Sequence, residues 1–142
     1  MMMKGVPAAA ARLGLAGLIP FVGLAALAHL APGSGARSWL AAYGAVILSF
    51  MGGCRWGFAA TGMGEGPAVR PLVLAVAPAL YAWLSLRAPA PFDMELLALG
   101  LLALYLADLK LTKDGGAPHW WPALRLPLTL GATLSLLAGA AA

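Results

Sequence analysis

Charged residues are scarce in this sequence, and reactive side chains are scarcer still. Only 10% of the 142 residues are Asp, Glu, Lys or Arg, and five of these are acidic, whereas a soluble domain carries about 25% charged residues. The single cysteine, Cys54, excludes an internal disulfide. The two histidines, His29 and His119, are too far apart in the sequence for a Cys/His cluster of metal-ligand spacing. We therefore expect no metal and no cofactor.

Patterns that point to catalysis or to nucleic-acid binding are also missing. No serine, histidine and acidic residue converge, and no glycine-rich loop has the spacing that cradles phosphates. The nine basic residues give a net charge of +4, but they are scattered between apolar runs and form no stripe that could follow a nucleic-acid backbone. We therefore expect neither an enzyme nor a nucleic-acid partner.

Apolar residues, in contrast, are in large excess. They make up 62% of the chain, the mean hydropathy is +0.88, and a soluble fold of this length could not hide so much apolar surface. Five apolar runs of about 20 residues have the length that spans a bilayer, and Gly and Pro clusters end the first four. The sequence predicts one all-α domain, residues 1–142, an integral membrane bundle of about five transmembrane helices at roughly 8–31, 38–60, 70–87, 94–111 and 122–141.

Two features of these runs allow alternatives. Lys4 and Arg12 precede an apolar stretch that ends in Ala26-Leu27-Ala28, as in a cleavable signal peptide, but the run is long for that role and contains Pro20, which favours a retained helix. The third and fourth runs are at the short end of the spanning range, so a packed hairpin that only partly crosses the bilayer is the alternative to two full spans.

The basic residues are distributed unequally between the two faces of the predicted bundle. Arg37 and Arg87 fall on one face, and the other face carries Lys4, Arg12, Arg55, Arg70, Lys110, Lys113 and Arg125. The positive-inside rule makes the second face cytoplasmic. We predict a multi-pass protein of the bacterial inner membrane with its N-terminus inside and its C-terminus outside.

Four ionisable residues lie within the predicted spans at one depth, in the inner leaflet. They are Arg12, Arg55, Asp108 and Arg125. Charges at this depth usually pair or reach water, so Asp108 is expected to pair with Arg55 or Arg125. The alternative is that each arginine extends to the interface. A paired cluster would be net positive, and an anionic lipid headgroup would suit its guanidinium groups.

Aromatic and small residues complete the set of candidates. Trp56, His119, Trp120 and Trp121 fall near the inner border, where an interfacial aromatic belt is expected; the last three could instead line the mouth of the cluster. Small residues at four-residue spacing predict close helix packing at Gly53, Gly57, Gly131, Ser135 and Gly139. The packing can be within this chain or between chains, and a bundle of this size favours the first.

Several segments together resemble a known family. They are GLIPF at residues 17–21, YGAVILSFMGG at 43–53 followed by Arg55-Trp56-Gly57, and LRLPLT at 124–129. They are similar to a domain of unknown function found in small polytopic bacterial inner-membrane proteins and in a eukaryotic transmembrane protein ascribed to mitochondria. The resemblance spans nearly the whole chain and implies that the first segment is retained. It implies no activity, substrate or cofactor.

The sequence therefore favours a non-enzymatic integral membrane protein. We expect an accessory or assembly component of a membrane complex, or a lipid-interacting component, whose partners are the bilayer, an anionic lipid, and other membrane proteins or a second copy. The alternative is a small oligomeric transporter of ions, protons or small molecules that uses the buried Arg/Asp cluster. Five spans are few for a transporter monomer, so that alternative requires an oligomer.

Overall fold

The computed structural model describes residues 5–142, and the segment before them, which includes Lys4, lies outside the described residues. Within that range the chain is helical and contains no β-strand. The helices are α1 (Ala8–Ala16), α2 (Leu18–Leu30), α3 (Ala36–Ala60), α4 (Val69–Ser85), α5 (Phe92–Lys113) and α6 (Trp121–Ala140). Their ends lie within two residues of the predicted apolar runs, α1 and α2 together forming the first.

Gly17 alone separates α1 from α2. Three residues later, Pro20 has no N–H to donate to the carbonyl of Ala16, and its ring crowds the preceding turn. The chain responds with a tighter turn, in which the Gly17 N–H lies 3.0 Å from the carbonyl oxygens of both Leu13 and Gly14. The hydroxyl of Tyr43 in α3 donates to the Gly17 carbonyl at 2.8 Å, so this interruption is held by a neighbouring helix.

Backbone contacts show which connections share an end of the bundle. The N–H of Gly64, after α3, donates to the carbonyl of Gly115, after α5, at 3.1 Å. We call this the basic end; it comprises the connections 61–68 and 114–120 and the start of α1. At the opposite end, His29 lies 2.7 Å from the Ala138 carbonyl oxygen. Consecutive long helices therefore run antiparallel, as short connections require.

Apolar side chains fill the interior and also cover the outside. The interior between the basic end and the opposite end holds fully buried side chains from α2, α3, α5 and α6, namely Phe21, Leu40, Leu48, Met94, Leu97, Leu101 and Leu136. Each helix also exposes large apolar side chains, for example Leu13, Ile19, Phe50, Val69, Leu106 and Leu134. A soluble monomer rarely exposes contiguous apolar surface of this extent.

Two helices are long and apolar enough to cross a membrane. They are Ala8–Leu30, which treats α1 and α2 as one helix of 23 residues, and Trp121–Ala140. Val69–Ser85 is apolar but shorter, at 17 residues. The all-helical class and two candidate spans are thus established for residues 5–142, while five spans and their orientation stay predictions.

The small residues predicted to pack inside the bundle divide into two groups. A Cβ atom added to Gly131 would lie 2.8 Å from Leu18, and one added to Gly139 would meet Leu40, while Ser135 between them is buried. Gly53 and Gly57 are exposed, and an added Cβ would meet no atom within 4 Å. The α3 pair therefore does not pack within this chain, and packing between chains is the alternative that stays open for it. The face of α3 that packs on α4 is one residue earlier, at Gly52.

Candidate functional site

Asp108 is the centre of the most polar part of the interior. Its carboxylate is fully buried and accepts hydrogen bonds from the Arg55 guanidinium, at 2.6 Å to Oδ1, and from the Arg125 guanidinium, at Oδ2. The indole N–H of Trp121 also donates to Oδ2, at 2.9 Å. We call these four residues the Asp108 cluster. Three donors on one carboxylate occupy most of its hydrogen-bonding capacity.

Three helices bring these residues together near the basic end. Arg55 lies five residues before the end of α3, and Asp108 lies five residues before the end of α5. On α6, Trp121 and Arg125 are four residues apart and therefore share a face, and Thr129, one turn further, lies 3.4 Å from Nη2 of Arg125. Because α3 and α5 run towards the basic end and α6 runs away from it, all three helices place their polar residue at one level.

The cluster holds more positive than negative charge. Arg55 and Arg125 are 9% and 1% exposed, and Asp108 is the only buried acid among residues 5–142. Two guanidinium groups on one carboxylate leave a net charge of +1. A buried charge without a counter-ion costs several kcal/mol, so an anion that reached either arginine would be stabilised there.

The environment of Trp121 corrects its predicted interfacial position. Its side chain is buried, packs edge-to-face on Phe58 with ring centroids 5.0 Å apart, and lies under the Arg125 guanidinium at 5.8 Å. A buried indole N–H requires an acceptor, and Asp108 supplies it. The four-residue spacing from Trp121 to Arg125 was the sequence signal for this role, since it puts both on the face that α6 turns inward.

Arg12 does not join the cluster, which corrects the prediction of a fourth member. It is exposed, and among residues 5–142 it has no ion pair or side-chain hydrogen bond. Its position in the first turns of α1, at the edge of the bundle, leaves its side chain outside. Trp56 and His119 are exposed and Trp120 is half-buried, and their role as interfacial aromatics stays a prediction.

Two openings flank the cluster and reach different arginines. The polar vestibule, a cavity of about 220 Å³ at the basic end, reaches Arg55 and is also lined by Glu65, Arg70, Lys110 and Asp114. In it, Arg70 pairs with Glu65 at 3.3 Å and Lys110 with Asp114 at 3.2 Å. The charged side chains that rim the vestibule are thus paired with one another.

The apolar groove, about 100 Å³, reaches Arg125 from the side of the bundle. It is lined mainly by apolar residues of α1, α2, α3 and α6. Arg125 and Thr129 are its polar residues apart from backbone groups. The cluster is therefore reached by a charged opening on the Arg55 side and by an apolar one on the Arg125 side.

The donor set does not resemble a metal site. Within residues 5–142, no group of three His, Cys, Asp or Glu side chains lies close enough to hold a metal ion. Cys54, next to Arg55 in sequence, is partly buried and unpaired. Guanidinium groups can bind oxyanions, and here those of Arg55 and Arg125 bind the Asp108 carboxylate.

Comparison with known proteins places the chain in a family. The family model described as "Protein of unknown function (DUF3429)" matches residues 6–141. The chain is 40% identical over 145 aligned positions to Transmembrane protein 69 of Xenopus tropicalis; the match covers 95% of this chain and 54% of that protein, so the chain spans about half the length of this relative. No solved structure matches. The resemblance read from the sequence is confirmed, and the chain belongs to the DUF3429 family.

Proposed function

We propose that this chain is a non-enzymatic, five-span protein of the bacterial inner membrane that binds anionic lipid headgroups. The observation that carries the proposal is the net positive Asp108 cluster, buried at one level near the basic end and reached by two openings. Guanidinium groups bind phosphate oxygens well, and the basic end is the end of the bundle that would lie nearest the inner headgroups. The apolar outer surface of every helix supports the membrane location.

The state of Asp108 argues against catalysis. A general acid or base must exchange its proton with a substrate, whereas the Asp108 carboxylate is buried and bonded to Arg55, Arg125 and Trp121. The connections between the long helices are only five to eight residues, so residues 5–142 hold no separate catalytic domain. An accessory or assembly role in a larger membrane complex is consistent with such a chain and forms part of the proposal.

A transporter is the second candidate, favoured by the polar vestibule that leads to Arg55. A transport path must also continue from the cluster to the opposite end. Between the cluster and that end, the interior is filled by buried apolar side chains, among them Leu48, Leu101 and Leu136. Ions do not cross such packing. We therefore rank lipid binding first.

Lipid preference tests the proposal directly. Purified protein incubated with equal amounts of phosphatidylglycerol and phosphatidylcholine is expected to retain the anionic lipid preferentially, as measured by native mass spectrometry. Arg55→Gln leaves Asp108 with one arginine and a neutral cluster, so it should lower that preference by about tenfold, because the net positive charge that attracts an anion is removed. Arg87 is an exposed arginine near the opposite end, so Arg87→Gln is the matched control and should leave the preference unchanged. Equal retention of the two lipids by the wild-type protein would refute the proposal.

Membrane orientation is tested by thiol labelling in intact cells. In a Cys54→Ser background, single cysteines at Ser34 and Ala90 should react with a membrane-impermeant maleimide from outside. A cysteine at Lys113 should react only after the cells are permeabilised. All three positions are exposed and lie in or beside connections. Labelling of all three from one side would contradict five spans with the basic end inside.

A further inference from the structure

The apolar groove beside Arg125 differs from the rest of the outer surface because a buried charge lies within it. Its lining runs from exposed side chains, Leu13 and Phe50, to buried ones, Leu101 and Ala132. It is therefore a recess that leads from the outside of the bundle into the interior, rather than a shallow depression. If the helices span a bilayer, the groove opens towards the acyl chains.

The polarity of the groove changes along α6. Arg125 lies nearest the basic end, Thr129 follows one turn later, and the groove continues past Leu128 to Ala132, where Phe21 of α2 also lines it. Ala132 lies seven residues after Arg125, which corresponds to about 10 Å along the helix axis. The groove is thus polar near the basic end and apolar towards the middle of the bundle. A phospholipid in the leaflet at the basic end runs in the same direction from its headgroup to its acyl chains.

Charge complementarity selects the kind of lipid. The Asp108 cluster carries a net charge of +1, and no acidic residue lines the groove, although Arg125 is bonded to Asp108 on its interior side. In the vestibule, by contrast, Glu65 and Asp114 pair with Arg70 and Lys110, so an anion entering there meets carboxylates. An anionic headgroup at the groove would meet only the Asp108 carboxylate, which two arginines already share, and would therefore be repelled less than in the vestibule.

We propose that the apolar groove binds one acyl chain of an acidic phospholipid, with the phosphate facing Arg125 and Thr129 and the chain extending past Leu128 towards Phe21 and Ala132. The inference rests on the proposed function and makes it specific, since it names the lipid class, its leaflet and its site. The groove, and not the vestibule, is then the reason for the preference for anionic lipid.

Filling the groove tests this site without touching a charge. Leu128→Trp would occupy the groove, and Leu134→Trp places the same side chain on the exposed face of the same helix. Native mass spectrometry with phosphatidylglycerol should show at least about tenfold less lipid retained by Leu128→Trp, because expelling two methylene groups costs that factor. Leu134→Trp should retain as much as the wild type.

Photolabelling of the wild-type protein keeps the test independent of any folding defect in the variant. Phosphatidylglycerol with a diazirine in its acyl chain should label peptides that contain residues 47–51 and 128–132. If the wild type prefers phosphatidylglycerol but labelling avoids these peptides and Leu128→Trp retains the lipid, the groove inference is wrong while the proposed function stands. If an Arg70→Gln, Lys110→Gln double variant abolishes retention instead, the lipid lies in the vestibule. If the wild type shows no preference at all, the proposed function itself fails.

Discussion

Replacing Asp108 with asparagine is expected to lower the free energy of unfolding by about 3–5 kcal/mol, the cost of breaking a buried ion pair by removing one partner. The variant leaves Arg55 and Arg125 buried near each other with no counter-ion. Trp121 keeps an acceptor only if the new amide turns its oxygen towards the indole. Denaturant-induced unfolding of the detergent-solubilised protein measures the change.

The matched control is Asp114→Asn, the same substitution at the residue that follows the end of the same helix, α5. Asp114 pairs with Lys110 at 3.2 Å, but both side chains are mostly exposed, and such pairs contribute little. Its unfolding curve should nearly coincide with that of the wild type. An Asp108→Asn protein as stable as Asp114→Asn would mean that the cluster is not a buried ion pair in the membrane.

A triple replacement separates stability from function. Arg55→Met, Asp108→Leu and Arg125→Met together remove all three charges and keep similar volume, which is often neutral or stabilising for buried ion clusters. This protein should recover much of the stability lost in Asp108→Asn, less the cost of leaving the buried Trp121 N–H without an acceptor, and yet show no preference for anionic lipid. Charges that are not needed for folding but are needed for lipid binding would support the proposed function.

Two adjacent glycines in α3 are expected to respond oppositely to alanine. The added Cβ in Gly52→Ala would lie 2.7 Å from the Ala75 carbonyl oxygen and 3.0 Å from Pro78. Both contacts belong to α4, and neither the backbone oxygen nor the proline ring can rotate away. Overpacking of this kind costs about 1–3 kcal/mol, so Gly52→Ala should destabilise the α3–α4 pair.

Gly53→Ala is the control, since its Cβ would meet no atom within 4 Å. Alanine is favoured over glycine within a helix by about 0.5–1 kcal/mol, so this variant should be as stable as the wild type or slightly more stable. Thermal unfolding of the two variants in one detergent gives the comparison. A destabilising Gly53→Ala would indicate that this face packs on something other than the helices of this chain.

The helices themselves could be predicted from the sequence because their signals are local. Apolar runs bounded by Gly and Pro clusters determined the helix positions within two residues, and only the interruption at Gly17 was not expected. The family could also be recognised, because its motifs are contiguous segments of the chain.

Which side of each helix faces inward depends on the neighbouring helices, and there the sequence was less informative. Gly53 and Gly57 have the spacing of a packing motif but face outward, whereas Gly52, which has no such partner in sequence, makes the close approach to α4. Trp121 is of a residue type that often anchors helices at the membrane interface, but its side chain is buried. The spacing of apolar residues could not separate these cases, because a membrane helix is apolar on both its lipid face and its interior face.

By itself, the sequence determined that this chain is helical and apolar, that it belongs to its family, and that Arg55, Asp108 and Arg125 lie at a similar depth. Each residue of a helix advances about 1.5 Å along the helix axis, so the position of a residue in the sequence gives its depth along that axis. Only the tertiary structure decided that both arginines and Trp121 meet on one carboxylate, that Arg12 stays outside, and that a groove reaches Arg125. The physical reason is that these contacts depend on the rotation of each helix about its axis, which packing against its neighbours decides.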